Sequence, residues 1–214
     1  MSLKSFKTPL RYPGGKSRAC KKMEPFFPDL RDYDVYYEPF LGGGSVALHI
    51  TKKYPKLKIV VNDLYEPLYN FWLRLQVDGD YVHSQLQQLK SRYPDRGSAR
   101  GLFEDAKEKL YDLDVSDKDR AVCFYIINKC SFSGLTESSS FSEQASDANF
   151  SMRGIDKLPV YSKLISNWYI TNVDYKVLLG DKEKTFIYLD PPYDIKDNLY
   201  GKKGSMHKKF DHDD

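Results

Sequence analysis

The sequence predicts an α/β fold in which a block of helices interrupts a sheet of parallel strands. Two observations predict it. Residues 35–63 contain a strand, a glycine-rich turn, a helix and a second strand in succession, which is the pattern of a βαβ unit. Residues 80–130 then carry helical patterns alone, before short apolar runs return from residue 168 onward. In such a sheet, ligands bind at the carboxyl ends of the strands.

Composition indicates a globular protein. The 214 residues are 41% hydrophobic and 29% charged, which is enough for one core with a smaller subdomain and excludes a disordered chain. The net charge is only +3, although residues 1–22 are basic and contain no acid. A basic edge of this kind is more often a solvated surface than a phosphate contact.

The cysteines Cys20, Cys123 and Cys130 are odd in number and widely separated. The chain also has no apolar stretch of the membrane-spanning or signal-peptide type. We therefore expect a protein of the reducing cytoplasm that has no membrane partner. No spacing of cysteine and histidine resembles a zinc site, so no metal is expected.

The first motif is the segment Arg11-Tyr12-Pro13-Gly14-Gly15-Lys16-Ser17. Its ending suggests a phosphate-binding P-loop, but that pattern requires a glycine five places before Gly15, where this chain has Leu10. What remains is a flexible turn that lets backbone approach a ligand and presents one aromatic ring and one ammonium group. By itself it is an ordinary loop.

The second motif runs from the strand-like Val35-Tyr36-Tyr37 through Glu38-Pro39-Phe40-Leu41-Gly42-Gly43-Gly44 to Ser45, which we expect to cap a helix. The next apolar run, residues 57–61, predicts a strand that ends at Asp63, about 20 residues beyond the glycines as expected for a carboxylate that binds ribose hydroxyls. These elements favour nucleoside binding over a merely flexible glycine loop. They do not distinguish a nicotinamide cofactor from S-adenosylmethionine.

The middle of the chain is predicted to be helical. Residues 65–75 have the apolar stripe of a helix that covers a sheet, and residues 80–130 indicate an inserted helical subdomain. Residues 131–153 are rich in serine and acids and contain isolated aromatics. This composition is compatible with disorder, or with a mobile hairpin that folds on a partner.

The last motif is Phe186-Ile187-Tyr188-Leu189-Asp190-Pro191-Pro192-Tyr193. Two further strand-like runs, residues 168–170 and 177–179, precede it, with Asp174 and Tyr175 between them. Its apolar residues predict a buried strand that ends at Asp190, because the prolines cannot continue a sheet ladder. The aspartate carboxylate and the proline carbonyls are acceptors that an amino group would satisfy, and the final tyrosine offers a face for its ring. The alternative is an ordinary strand followed by a Pro-Pro turn.

In this order the motifs resemble those of the Dam-type (D12 class) DNA adenine-N6 methyltransferases over nearly the whole chain. The resemblance implies a Rossmann-like methyltransferase sheet with an inserted helical DNA-recognition subdomain. It also implies that S-adenosylmethionine is the cofactor and that a flipped adenine in duplex DNA is the substrate, with a monomer as the expected state. We expect cofactor binding in residues 1–77, DNA recognition in residues 78–166 and the rest of the active site in residues 167–214.

The resemblance also implies roles for individual residues. Those expected to hold the cofactor are Tyr12, Lys16, Glu38, Phe40, Gly42, Gly44, Asp63, Asp174, Tyr175 and Asp190. Those expected at the reacting base are Asp190, Pro191, Pro192 and Tyr193. Those expected to contact DNA are Arg11, Asn128, Phe132, Leu135, Glu137 and Arg153. Residues 128–153 are expected to be the reading element, mobile without DNA, with Phe132 or Leu135 as a wedge.

The chemistry of the last motif fits this role. The adenine amine is a poor nucleophile because its lone pair is delocalised into the ring. Asp190 and the Pro191 carbonyl can accept its two hydrogens, orient the lone pair and stabilise the positive charge that develops on nitrogen. The base has to leave the duplex first, and Tyr193 can then stack on it.

Two departures from the family pattern stand out. Glu137 occupies the place where GATC-specific members have an arginine, and a carboxylate accepts from cytosine N4 rather than donating to guanine, so GATC specificity is doubtful. The chain also stops at Asp214, where family members continue. We expect the complete protein to have roughly 50 or more further residues. A non-catalytic DNA-binding remnant and, less favoured, a nicotinamide-dependent oxidoreductase are the alternatives.

Overall fold

The structure is a computed structural model that describes residues 7–134, 139–180 and 183–192. Its strands are β1 Val35–Glu38, β2 Lys58–Asn62, β3 Trp168–Thr171 and β4 Thr185–Ile187. Its α-helices are α1 Cys20–Met23, α2 Ser45–Lys53, α3 Glu66–Val77, α4 Gly79–Arg92, α5 Arg96–Lys109, α6 Asp117–Cys130, α7 Glu143–Asn149, α8 Met152–Ile155 and α9 Leu158–Leu164. Short 3-10 helices cover Glu24–Phe26, Leu30–Asp32, Phe132–Gly134 and Tyr175–Val177.

The strands form one parallel sheet in the order β3-β2-β1-β4. The predicted α/β fold with a Rossmann-like sheet is therefore confirmed. The order of strands along the chain reverses at β1, which pairs with β2 on one side and with β4 on the other. A crevice opens beside the carboxyl ends of the strands at such a reversal, so the topology itself selects a place for a ligand.

Helix α3 joins the sheet to the helical part of the chain. Its Trp72 ring lies 5.7 Å from that of Trp168 in β3, and its Phe71 ring lies 5.6 Å from that of Phe124 in α6. Because neighbouring residues of α3 contact both sides, the described residues pack around one continuous core. The division into a sheet domain and an inserted subdomain stays a prediction. Within the described residues, no helix is both long and apolar enough to cross a membrane.

Three local predictions are wrong. Gly44, not Ser45, caps α2, because this position has a left-handed backbone with φ +67° and a Cβ there would lie 2.7 Å from Trp72. Residues 177–179 do not form a strand: the Asp174 side chain accepts from Lys176 N–H at 2.9 Å and starts a 3-10 helix instead. Strand β4 is half-buried rather than buried, because β1 is its only neighbour among the described strands.

The serine-rich segment is folded wherever the structure describes it, so the expectation that residues 128–153 are mobile without DNA is wrong for that part. Ser131 forms an antiparallel bridge with Phe141, and α7 follows. Arg96 in α5 binds Asp147 in α7 at 2.7 Å, and Phe150 is fully buried. Phe103 in α5 also packs on Phe141, with the ring centres 5.6 Å apart, a contact between distant segments that composition alone could not predict. Leu135 and Glu137 lie outside the described residues.

Candidate active site

A cleft lies at the carboxyl ends of β1, β2 and β4, the edge of the sheet where this topology places a ligand. All the residues predicted to hold a cofactor line it, except Gly44. They come from distant parts of the chain: Tyr12, Lys16, Glu38, Phe40, Gly42, Asp63, Asp174, Tyr175 and Asp190.

The glycine turn after β1 is shaped by contact with two aromatic rings. Gly42 has a left-handed backbone with φ +49°, and a Cβ there would lie 2.8 Å from the Tyr12 ring. The Gly42 carbonyl accepts from Trp72 Nε1 at 3.1 Å. Gly44 packs on the same tryptophan and faces away from the cleft. The glycines therefore allow close packing of the turn on Tyr12 and Trp72, and Trp72 was not predicted to have a part in the site.

Asp63 ties the glycine turn to the end of β2. Its Oδ2 accepts from Gly42 N–H at 2.8 Å and its Oδ1 from Tyr65 N–H at 3.0 Å. Burial nevertheless raises the pKa of this carboxyl from 3.8 to about 6. A carboxylate has about four lone-pair sites, so Asp63 can still accept from hydroxyl groups of a ligand.

Glu38 is a buried acid beneath the cleft, only 3% exposed. The hydroxyl of Tyr36 donates to its Oε2 at 2.6 Å. The pKa of Glu38 is raised from 4.5 to about 8. Burial is the main cause, and the negative charge of Asp190 adds to it. The raised pKa favours the protonated form of this side chain, whereas a cation bound in the cleft would favour its ionised form.

Asn62 holds two walls of the cleft together, a role that sequence reasoning missed. Its buried amide donates to the carbonyls of Pro39 at 3.1 Å and Val173 at 3.0 Å, and accepts from Val173 N–H at 3.0 Å. These bonds fix the loops that carry Phe40 and Tyr175, whose ring centres are 5.1 Å apart. A polar residue at the end of the apolar run before Asp63 was the only signal available.

The predicted catalytic aspartate lies at the edge of this cleft. Lys16 Nζ approaches Asp190 Oδ2 at 2.6 Å and also donates to the Gly14 carbonyl at 3.1 Å. The backbone before Asp190 is held by Tyr188 N–H, which donates to the Tyr37 carbonyl at 2.8 Å. Pro192 lines the cleft as well. Pro191 lies between Asp190 and Pro192 in the chain, and Tyr193 lies outside the described residues.

The predicted DNA contacts divide into accessible and inaccessible ones. Phe132 is 68% exposed, and Arg153 is exposed on α8. Asn128 is fully buried, so direct contact with DNA is not open to its side chain. Arg11 donates from Nη1 to the Ser131 carbonyl at 2.6 Å, which places its guanidinium beside the 3-10 helix that begins at Phe132.

Comparison with known proteins adds independent findings. A family model described as D12 class N6 adenine-specific DNA methyltransferase matches residues 12–214. The chain is 26% identical to the type II methyltransferase M.MjaIII of Methanocaldococcus jannaschii, over 90% of this chain and 70% of that protein.

Two further relatives come from bacteria. The chain is 25% identical to the type II methyltransferase M1.LlaDCHI of Lactococcus lactis subsp. cremoris, over 86% of this chain and 64% of that protein. It is 24% identical to the modification methylase StsI of Streptococcus sanguinis, over 94% of this chain and 31% of that protein. The chain thus spans less than two thirds of the length of both of these relatives.

Proposed function

This chain belongs to the D12 class N6 adenine-specific DNA methyltransferases, and we propose that it methylates N6 of adenine in duplex DNA with S-adenosylmethionine as the donor. The observation that supports this most is that residues of the first, second and last sequence motifs line a single cleft, together with Asp174 and Tyr175. Residues of the first motif and the last motif are joined there directly, by the ion pair between Lys16 and Asp190.

The residues of the cleft fit the proposed cofactor. Asp63 presents a carboxylate to ribose hydroxyls, and the Phe40 and Tyr175 rings offer apolar faces for an adenine. Glu38 lies beneath the cleft as an acid that a cationic ligand would ionise. When bound, S-adenosylmethionine would supply a methyl group activated by a positively charged sulfur. Tyr12, Lys16 and Gly42 complete the surface that would hold it.

Asp190 would act on the target base. Its carboxylate and the Pro191 carbonyl would accept the two amine hydrogens, which turns the nitrogen lone pair out of conjugation and stabilises the charge that forms there. The demethylated product would be S-adenosylhomocysteine, and the methylated nitrogen would lose one of its two protons to solvent. Lys16 holds Oδ2 of this carboxylate in place. Pro192 and Tyr193 would bound the pocket for the flipped base, the tyrosine by stacking.

Exposed residues of the helical part would read the DNA. Phe132 projects into solvent and can enter the base stack as a wedge. Arg11, Arg153, Leu135 and Glu137 are proposed to contact the duplex, and the buried Asn128 would support this surface from behind. In this proposal residues 78–166 recognise DNA and the flanking parts carry out the chemistry.

The decisive experiment is a methylation assay with chemical identification of the product. The protein is mixed with methyl-labelled S-adenosylmethionine and duplex DNA, and the DNA is digested to nucleosides for mass spectrometry. Labelled N6-methyldeoxyadenosine is expected, and sequencing of the methylated DNA then gives the recognition site. Label on cytosine, or equal labelling by the Asp190→Ala variant, would contradict the proposal.

A further inference from the structure

The buried amide of Asn128 is saturated by two segments that are far apart in sequence. Its Oδ1 accepts from Arg11 N–H at 2.9 Å, and its Nδ2 donates to the carbonyls of Arg11 at 2.7 Å and Gly134 at 3.0 Å. The side chain is entirely inaccessible to solvent. An asparagine amide has two N–H donors and one oxygen, and here both donors and the oxygen are used.

The same two segments are also joined by packing. Arg11 donates from Nη1 to the Ser131 carbonyl at 2.6 Å. Gly134 has a left-handed backbone with φ +74°, and a Cβ there would lie 2.6 Å from Arg11 Cβ. Only glycine permits this approach. We name the cluster of Arg11, Asn128, Ser131 and Gly134 the Arg11 junction.

The junction stands between the two proposed binding surfaces. On one side, Arg11 precedes Tyr12, whose ring packs on the glycine turn and whose carbonyl accepts from Gly15 N–H at 3.1 Å. Lys16, which follows Gly15 in the chain, forms the ion pair with Asp190. On the other side, Gly134 ends the 3-10 helix that exposes Phe132.

We propose that Asn128 is a positioning residue that couples DNA binding to cofactor binding, an inference that rests on the proposed function. Both the N–H and the carbonyl of Arg11 are bonded to one buried side chain, which also holds Gly134. A displacement of Phe132–Gly134 by DNA therefore has to move the backbone of Arg11 and Tyr12 or break a buried hydrogen bond. DNA binding therefore changes the position of the loop that lines the cofactor cleft, and this amide transmits the change.

Binding coupling is reciprocal and can be measured directly. The dissociation constant of S-adenosylhomocysteine is determined by calorimetry, without DNA and with a saturating short duplex that carries the mapped methylation site. We expect the duplex to tighten binding by the wild-type protein at least about 5-fold, at the lower end of common allosteric couplings. In Asn128→Ala the ratio should fall close to one.

A matched control separates coupling from general destabilisation. Asn70 is another buried asparagine whose amide donates to a backbone carbonyl, that of Asp117, at 2.7 Å, and it does not line the cleft. Asn70→Ala should lose stability and keep the wild-type ratio. If Asn128→Ala does not fold, Gly134→Ala decides instead: its Cβ would lie 2.6 Å from Arg11 Cβ, so the added methyl group should push the two segments of the junction apart and reduce the ratio.

The possible failures are distinguishable. A wild-type protein that binds S-adenosylhomocysteine equally well with and without duplex would overturn this inference and leave the proposed function intact. Folded Asn128→Ala, or Gly134→Ala in its place, with the full wild-type ratio would overturn it as well. A wild-type protein that binds S-adenosylhomocysteine under neither condition would overturn the proposed function and the coupling together.

Discussion

Lys16 Nζ lies 2.6 Å from Asp190 Oδ2, so an ammonium group from the first motif and the carboxylate of the last motif form one ion pair across the cleft. Each side chain is only 23% exposed, so solvent screens the pair in part. An amine that donates to Asp190 would share this carboxylate with Lys16. The pair also attaches the loop that carries Tyr12 to the chain that follows β4.

Replacing Asp190 should separate catalysis from DNA binding. We expect Asp190→Ala to lower methyl transfer by about 100-fold or more, because the acceptor that orients and stabilises the amine is lost. Affinity for duplex should change little, since contacts to phosphates dominate it. Single-turnover assays and duplex titrations test both statements. The control is Asp105→Ala, which removes an exposed aspartate that pairs with Lys109 at 2.8 Å on α5. Comparable turnover by Asp190→Ala and Asp105→Ala would refute the role of Asp190.

Asp63→Ala should weaken cofactor binding. The variant loses the proposed acceptor for ribose hydroxyls and leaves the N–H groups of Gly42 and Tyr65 without their present partner. We expect a loss of about 1–3 kcal/mol in binding free energy, the usual effect of an unsatisfied buried polar group. Calorimetry with S-adenosylhomocysteine measures it. An unchanged dissociation constant would show that the glycine turn holds no ribose beside Asp63.

Asn62→Ala should also weaken cofactor binding, through the walls of the cleft. Without the amide, the carbonyls of Pro39 and Val173 lose donors, and the loops that carry Phe40 and Tyr175 are no longer tied together. The Michaelis constant for S-adenosylmethionine should rise while turnover at saturation stays near the wild-type value. Asn70→Ala serves as the control for destabilisation by loss of a buried amide. A fall in turnover alone would count against this role.

Glu38 should make stability decrease as the pH rises. Burial raises its pKa from 4.5 to about 8, so the folded protein keeps a proton that the unfolded chain has released. The contribution to stability is fully present below the lower pKa and is lost as the pH rises through the higher one. Between pH 4.5 and about 8, the free energy of unfolding of Glu38→Gln should increase relative to that of the wild type, by up to about 1.4 kcal/mol per pH unit.

Urea unfolding between pH 4.5 and about 8 measures this difference in the free energy of unfolding between wild type and Glu38→Gln. The control is Glu104→Gln, a substitution of an exposed glutamate on α5 that should follow the wild-type curve. Parallel curves for wild type and Glu38→Gln would mean that Glu38 is ionised in the folded protein at neutral pH.

Phe132→Ala should impair base flipping without affecting stability. The ring is 68% exposed, so its removal should change the free energy of unfolding by less than about 0.5 kcal/mol. Methylation of a paired target adenine should fall more than that of a mismatched one, because a mismatched base costs less to extrude. Phe26→Ala, which removes a ring that is 86% exposed outside the cleft, is the matched control. Equal losses on both duplexes would exclude the wedge.

Local patterns in the sequence were enough to predict the class of fold and three of its strands. Apolar runs at residues 35–37, 57–61 and 168–170 predicted β1, β2 and β3 because strand propensity and burial are local properties. The position of Asp63 at the end of β2 followed from the same pattern. The motifs also predicted the family that the chain belongs to.

Tertiary contacts decided what these local patterns could not. Gly44 rather than Ser45 caps α2, in a left-handed turn packed against Trp72, and Phe150 of the serine-rich segment is buried in the core. Asn128 was expected to contact DNA, but its buried side chain bonds Arg11 instead. That partner is 117 residues away along the chain, so local sequence could not predict it. Spacing within a motif encodes backbone geometry over a few residues, whereas the partners of a buried polar group are chosen by packing across the whole fold.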